Sequence, residues 1–221
     1  MRPRPFAGFI ASGGMIISTV AHAGAGAYLV DDASITPAGR CQVQSWAQLV
    51  SEGQMTLNAL PACTTGAVEW SLGLAAQNHP YEHQESPAIK WMIRDPDHYR
   101  LGLAVNVGVS WANGHILSRN SYVAATLTPD DARRWSINAD LGEIYARGTS
   151  WRTLTGLGAK YKLQEQLALV VERIQPWNGD AINQLGMRWT FHNKDSFDVI
   201  VGKSDAHVHD RWLTFGLNWA L

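Results

Sequence analysis

The stretch Leu213-Thr214-Phe215-Gly216-Leu217-Asn218-Trp219-Ala220-Leu221 alternates without a break between large apolar residues and small or polar ones. A period of two is that of a β-strand, whose successive side chains point to opposite faces. One face is aliphatic and aromatic, and the other is small enough for a crowded interior. This is typical of a membrane barrel wall, with lipid outside and a lumen inside. A soluble sandwich can end on a similar strand, so the rest of the chain has to repeat the pattern.

The alternation recurs along the chain. It is clearest over residues 101–111, where the second face consists of Gly102, Ala104, Asn106, Gly108 and Ser110. These residues are too small for a soluble surface and suit the inside of a barrel. We count twelve segments separated by turn-forming residues: 41–50, 54–61, 66–78, 88–94, 99–111, 119–128, 135–145, 151–162, 166–174, 181–192, 196–204 and 211–221. The sequence therefore predicts an all-β fold, a closed antiparallel up-and-down transmembrane β-barrel of about 12 strands. Residues 166–174 alternate poorly and could equally form a short helix.

An even number of strands places both ends of the barrel chain on one side, which is periplasmic in a barrel of this class. External loops are then expected near Gly53, Pro80 to Pro87, Asn113-Gly114, Gly148, Asn178-Gly179 and Asp205 to Asp210. These loops are short, which leaves little room for an elaborate lid.

The first residues have the features of an export signal. Arg2 and Arg4 precede a mostly apolar stretch, and Ala21-His22-Ala23 offers small residues to signal peptidase. We expect Sec-type export, cleavage after Ala23 and a location in the bacterial outer membrane. The expected domains are a signal peptide (1–23), a periplasmic amino-terminal segment (24–40) and a barrel (41–221). An alternative for residues 24–40 is that they fold into the lumen as a partial plug.

The composition excludes one class of partner. The formal net charge is −1, and it becomes −3 once two arginines leave with the signal. Nucleic-acid-binding proteins are normally basic, so we expect no nucleic acid. The ten tryptophans fit either a soluble core or the aromatic belts of a barrel.

The two cysteines lie symmetrically about residue 52, in the first turn. Symmetric residues of an antiparallel hairpin face each other, and export would carry Cys41 and Cys63 to an oxidising compartment. The symmetry predicts a disulfide bond; two free buried thiols are the alternative.

Three short motifs carry a resemblance to a known family. They are Asp31-Asp32-Ala33, then residues 39–46 (GRCQVQSW), then Leu60-Pro61-Ala62-Cys63. This part of the chain resembles small proteobacterial outer-membrane β-barrel proteins similar to the MetA-like transporters of the meta-cleavage pathway of phenol degradation. The resemblance implies a barrel in the outer membrane and transport of a small hydrophobic or aromatic compound. It implies no catalytic residues and no cofactor.

The strand pattern assigns a set of polar residues to the lumen. The candidates for a solute pathway are Glu69, Lys90, Arg94, Asn106, Asp140, Arg152, Lys160, Lys162, Glu172, Arg188 and Asp198. Mixed charges can orient a polar solute, or they can pair and close the bore. Twelve strands lie between the filled eight-stranded barrels and the open sixteen-stranded ones, so both outcomes remain open.

Signals for metal binding or catalysis are weak. His207, His209 and Asp210 form the tightest cluster of candidate metal ligands, followed by His79, Glu82 and His83. A lipid-modifying enzyme of the outer membrane would need a serine and a histidine side by side, for which His115 with Ser118, or His98 with a nearby serine, are the candidates. We predict no metal, no cofactor and no enzymatic activity.

The predicted function is an outer-membrane channel or transporter for a small compound. The alternatives are a lipid-modifying enzyme and a non-conducting structural or partner-binding barrel. The expected partners are outer-membrane lipid, an unidentified solute and the barrel-assembly machinery, which would bind the strand that ends at Leu221.

Overall fold

Twelve antiparallel strands form one closed barrel in a computed structural model that describes residues 26–78, 81–176, 180–191, 195–205 and 211–221. Each strand pairs with its neighbours in sequence, and β1 pairs with β12 to close the cylinder. Because closure leaves no edge strand, every strand has two hydrogen-bonded partners. The predicted fold class is confirmed. The expected signal peptide, residues 1–23, lies outside the described residues.

The strands are nine to fourteen residues long. Their bounds are β1 Cys41–Val50, β2 Met55–Thr65, β3 Val68–Asn78, β4 Tyr81–Arg94, β5 Leu101–Ala112, β6 His115–Leu127, β7 Trp135–Ala146, β8 Arg152–Gln164, β9 Leu167–Pro176, β10 Ile182–Thr190, β11 Ser196–Ser204 and β12 Arg211–Ala220. A 3₁₀ turn at Ser51–Gly53 joins β1 to β2. We call the end of the barrel that holds Cys41 and Ala220 the near end, and the end that holds Ser51–Gly53 the far end.

Strand β4 begins seven residues earlier than the pattern predicted. Residues 81–87 were expected to lie in a loop, yet they pair with β3 as far as Asn78 and Tyr81. Pro87 pairs with Leu72 of β3, whereas the pairs with β5 pass from Glu85–Trp111 to Ala88–Gly108 in the same register and omit Pro87. Proline lacks a donor, so a strand can hold it where one ladder is interrupted. The possible helix at 166–174 is strand β9.

The outer surface is apolar and carries most of the tryptophans. Large aliphatic residues such as Leu141, Leu157 and Leu185 are more than half exposed there. Aromatic residues border this band at the near end of the barrel: Trp70, Trp91, Trp135, Tyr161, Trp189 and Trp219. Others lie near the far end, at Tyr81, Trp111, Tyr145 and Trp151. An apolar band between two aromatic belts is the surface expected of a barrel in a bilayer.

Local contacts fix the hairpins at the near end. Cys41 and Cys63 face each other across β1 and β2 and form a disulfide bond, as predicted. In the turn between β6 and β7, the carboxylate of Asp130 accepts hydrogen bonds from the amides of Arg134 and Trp135. These bonds hold the pKa of Asp130 below its usual range.

Among the described residues, no helix is long and apolar enough to cross a membrane.

Candidate functional site

The inner wall of the barrel is lined by amides, hydroxyls and charged groups. On β5 the lumen-facing residues are Gly102, Ala104, Asn106, Gly108, Ser110 and Ala112, all of them buried. Buried glutamines and asparagines from other strands continue this surface, at Gln44, Gln48, Asn58, Asn120, Asn138 and Gln184. A wall of this kind is typical of a water-filled lumen rather than of an apolar core.

Residues 26–36 occupy the lumen. Thr36 is held to the inner wall close to the near end, where its amide and hydroxyl both donate to Glu69 Oε2, at 2.7 and 2.6 Å. The amide of Ala33 donates to Thr126 Oγ1 at 2.8 Å. Further along, the amide of Leu29 donates to Glu172 Oε2 at 2.8 Å. We call residues 26–36 the lumenal segment. Carboxylate and hydroxyl groups of the inner wall thus satisfy backbone amides of this segment.

Asp31 is the most heavily bonded residue of the lumenal segment. Its side chain is fully buried and forms an ion pair with Lys90 Nζ at 2.8 Å. The hydroxyl of Tyr122 donates to the second carboxylate oxygen at 3.0 Å. The amide of Asp31 donates to Asp140 Oδ2 at 2.9 Å. Three strands, β4, β6 and β7, therefore converge on one residue of the segment.

A second anchor lies on the opposite wall, around Asp198. Arg188 donates two parallel hydrogen bonds to this carboxylate, at 2.8 and 3.0 Å, in the bidentate geometry that arginine favours. The hydroxyl of Tyr28 donates to Asp198 Oδ1 at 3.0 Å, and the Arg188 guanidinium lies 4.8 Å from the centre of the Tyr28 ring. Asn218 completes the set with a 2.8 Å bond to Oδ2.

Apolar contacts surround the same segment. Tyr28 packs with Val170 and Ile200, and Leu29 packs against a cluster of Ile144, Leu154 and Ile174. These aliphatic side chains point into the lumen, so they are an exception to its polar lining. They give the segment a dry contact surface beside its hydrogen bonds.

Glycines on the inner wall leave the space that the segment fills. A Cβ added at Gly186 would lie 3.0 Å from a ring carbon of Tyr28, and one added at Gly158 would lie 3.4 Å from the Cβ of Val30. Larger residues at these positions would displace the segment.

A small cavity remains beside the lumenal segment. A cavity of about 190 Å³ lies between the lumenal segment and the near end, bordered by Gln42, Ser196 and Asn218. Ligand sites usually have roughly 300–1,000 Å³. Towards the far end, the Trp212 ring lies against the inner wall over Gly202 and donates from Nε1 to Gln184 Oε1 at 3.0 Å. The lumenal segment therefore occupies much of the bore at its own height.

The structure separates the eleven lumen candidates into three groups. Those buried in the inner wall are Glu69, Lys90, Asn106, Asp140, Glu172 and Asp198. Those partly buried are Arg152, Lys160 and Arg188. Those exposed at the near end are Arg94 and Lys162, next to irregularities in the ladders β4–β5 and β8–β9. Arg94 lies over the ring of Tyr99 at 4.4 Å.

The sequence offered a partial plug by residues 24–40 as an alternative but did not identify the residues that hold it. Tyr28, Asp31 and Tyr122 are central to the contacts but were not among the candidates. The only sequence signal for the segment is the acidic pair Asp31-Asp32 beside aromatic and aliphatic residues, in a stretch that is not a strand.

The histidine candidates do not form a catalytic or metal site in the described part of the chain. His98 Nδ1 lies 2.7 Å from Asp95 Oδ2 in an exposed turn, and His83 Nε2 lies 2.6 Å from the hydroxyl of Tyr81. His115 is exposed while Ser118 is buried on the inner wall, so the two side chains point to opposite faces. No group of three or more metal-ligating side chains occurs among the described residues. His79, His207, His209 and Asp210 lie outside them.

The fold and lumen define a twelve-stranded barrel of the outer-membrane type with its own chain inside. The chain belongs to the family described as Uncharacterised conserved protein UCP029691, whose model matches residues 14–221. None of the curated proteins matches the sequence.

Several solved structures share the fold. The KdgM porin superposes with a TM-score of 0.68 at 7% identity, covering 81% of this chain and 99% of the porin. The NanC porin gives 0.59 at 8% identity, with 80% and 97% covered. The COG4313 outer membrane channel from Pseudomonas putida F1 gives 0.55 at 10% identity, with 86% and 98% covered. At such low identity the likeness shows the fold. The resemblance to small outer-membrane barrels is thus confirmed at that level, and the relation to the MetA-like transporters stays a prediction.

Proposed function

We propose that this chain is a non-enzymatic outer-membrane channel for small solutes and that residues 26–36 close its lumen. The observation that carries the proposal is the lumenal segment itself. It is held to the wall by hydrogen bonds and by the ion pair between Asp31 and Lys90, without being part of the wall. Removing it would widen the mainly polar passage enclosed by the twelve strands, a size between filled and open barrels.

The proposal includes the orientation of the barrel. The near end faces the periplasm, because an even number of strands brings both ends of the barrel chain there. Export by a signal peptide cleaved after Ala23 belongs to the same proposal, as does recognition of the last strand by the barrel-assembly machinery. The apolar belt and the low-identity likeness to outer-membrane porins support this location.

The lining supports a water-soluble solute. Amides, hydroxyls and charges dominate the inner wall, and such groups favour polar molecules over aromatic ones. A hydrophobic or aromatic solute, implied by the resemblance, is the competing candidate. Liposome swelling with small sugars, amino acids and phenol distinguishes the two, because only the permeant class accelerates swelling.

The test of closure is a reversible lock. Val30→Cys with Gly158→Cys places two Cβ atoms about 3.4 Å apart, close to the range that disulfides span. In planar bilayers the oxidised double variant should stay closed, and reduction should restore openings like those of the parent protein. A variant lacking residues 26–36 should conduct continuously.

The controls separate the lock from the native disulfide. Reductant also acts on Cys41–Cys63, so the parent protein and the two single variants are measured with and without it. The proposal fails if the deletion variant does not conduct, which would favour the non-conducting structural barrel. It also fails if oxidation leaves the conductance of the double variant unchanged.

A further inference from the structure

A row of basic side chains crosses the outer surface of the barrel near the far end. Register pairs Arg173 of β9 with Asn183 of β10, Asn183 with Lys203 of β11, and Lys203 with Arg211 of β12. All four residues are on the outward face of their strands. We propose that this row binds the phosphate group of an anionic lipid in the leaflet at the far end. The inference rests on the membrane location proposed above and is independent of channel activity.

The described residues neutralise the charges in this row only in part. Arg173 Nη1 donates to Asn183 Oδ1 at 2.8 Å and lies 3.4 Å from Asp205 Oδ2. Asn183 Nδ2 donates to the other Asp205 oxygen at 3.2 Å. Lys203 and Arg211 are exposed and form no ion pair with any described residue. Three cations thus face one described carboxylate, and Asn183 keeps Arg173 oriented.

The next outward row towards the near end is entirely apolar. This row lies one step closer to the near end than the basic row and consists of paired residues of neighbouring strands: Ala159, Val171, Leu185, Val201 and Leu213. Val171, Leu185 and Val201 are each at least half exposed. Together with Leu157 they line a groove of about 780 Å³ whose upper edge is formed by Arg173, Lys203 and Arg211. Charge and apolar groove therefore meet at one border.

This border matches a lipid better than a soluble anion or a protein. A phospholipid places its phosphate at the polar boundary of the bilayer and its acyl chains directly below. Arginine and lysine at that height attract anionic headgroups, while the groove offers aliphatic contact to one chain. A soluble anion would have no use for the exposed valines and leucines.

The basic row is confined to one side of the barrel. On the other side the corresponding outward positions include Glu85 of β4 and Glu143 of β7, both exposed, with Arg119 of β6. A general attraction to anionic lipid would be served by basic residues all round the barrel, whereas here they form a row on one side. The structure therefore assigns the lipid to β9–β12.

Native mass spectrometry of the full protein in a neutral detergent tests the site, with diphosphoryl lipid A as the probe. The variant Arg173→Gln, Lys203→Gln, Arg211→Gln should bind the probe roughly 100-fold more weakly, from about a fivefold loss per charge. The matched control Arg40→Gln, Arg100→Gln, Arg134→Gln removes the same charge at the near end and should stay within about twofold of the parent. Lys203→Gln alone should weaken binding about fivefold and serves if the triple variant does not fold.

Two further measurements identify the source of the phosphate. Lipid A without phosphate should bind as weakly as the triple variant binds the probe. Millimolar inorganic phosphate should leave the bound lipid in place. Equal losses in the two triple variants, unchanged binding of the phosphate-free lipid or full displacement by inorganic phosphate would each overturn the proposal. None of these outcomes depends on whether the barrel conducts.

Discussion

Lys90 shows how one residue links the wall to the lumenal segment. Its ammonium group is buried and pairs with Asp31, which is also buried. A buried ion pair adds little net stability, because desolvation offsets the attraction between the charges. The ion pair instead fixes the position of Asp31, since an unpaired Asp31 carboxylate would be costly to keep inside the barrel.

We predict that Lys90→Met releases the lumenal segment while the barrel stays folded. Breaking a buried pair on one side costs about 3–5 kcal/mol, and the segment can leave the wall to relieve it. The endoproteinase Asp-N, which cleaves before aspartate, should then cut at Asp31 and Asp32 at least tenfold faster than in the parent. Lys162→Met, which alters an exposed lysine, is the control and should leave cleavage unchanged. Unaltered cleavage in Lys90→Met would show that Lys90 does not hold the segment.

Among the elements, the strands were predictable, whereas a place in the lumen was only one of two alternatives for residues 24–40. A strand such as β5 repeats its pattern over twelve residues, so the period of two decides which side chains face inwards. Arg94 and Lys162 lie beside ladder irregularities, which a local pattern does not reveal. Strand β4 was predicted too short because Pro87 and the charged residues before it look like a loop. The contacts of the segment join residues 33 to 170 positions apart, so no local signal describes them.

The glycine-lined inner wall leads to a prediction about the fit between β10 and the segment. Gly186→Leu should expel Tyr28, because even a Cβ at this position would approach its ring to 3.0 Å. Because the added side chain overpacks this part of the lumen and displaces Tyr28, we expect the open time of the channel in planar bilayers to rise several-fold. The double variant Gly186→Leu, Tyr28→Ala separates a steric effect from damage to β10. The double variant lacks the Tyr28 anchor and can therefore also open the channel. Its barrel should nevertheless unfold at the same temperature as that of the parent. A barrel that loses stability in both variants would contradict the steric explanation.

At the scale of the whole molecule, closure makes the barrel one cooperative unit. Strand β1 pairs with β12 over nine residue pairs and with β2 over another nine. The seam of the cylinder therefore depends on the first hairpin, which the Cys41–Cys63 disulfide ties at the near end. Two stacked sheets would have free edges, and loss of one hairpin would leave the remainder paired. In a closed barrel, opening the β1–β12 seam exposes two strands at once.

We predict that Cys41→Ser with Cys63→Ser lowers the temperature at which the barrel unfolds. The bond spans 22 positions. Closing a loop of this length restricts the unfolded chain and so raises the free energy of unfolding by about 3 kcal/mol. The measurement is the shift from a fast to a slow band on a gel after heating in detergent, a transition that a closed barrel undergoes as a whole. Reduced parent protein should unfold at the same lower temperature as the double variant, and reductant should not affect the variant further. If the parent unfolds at one temperature with or without reductant, the disulfide does not stabilise the seam, and the register of β1–β12 rests on the strand pairing alone.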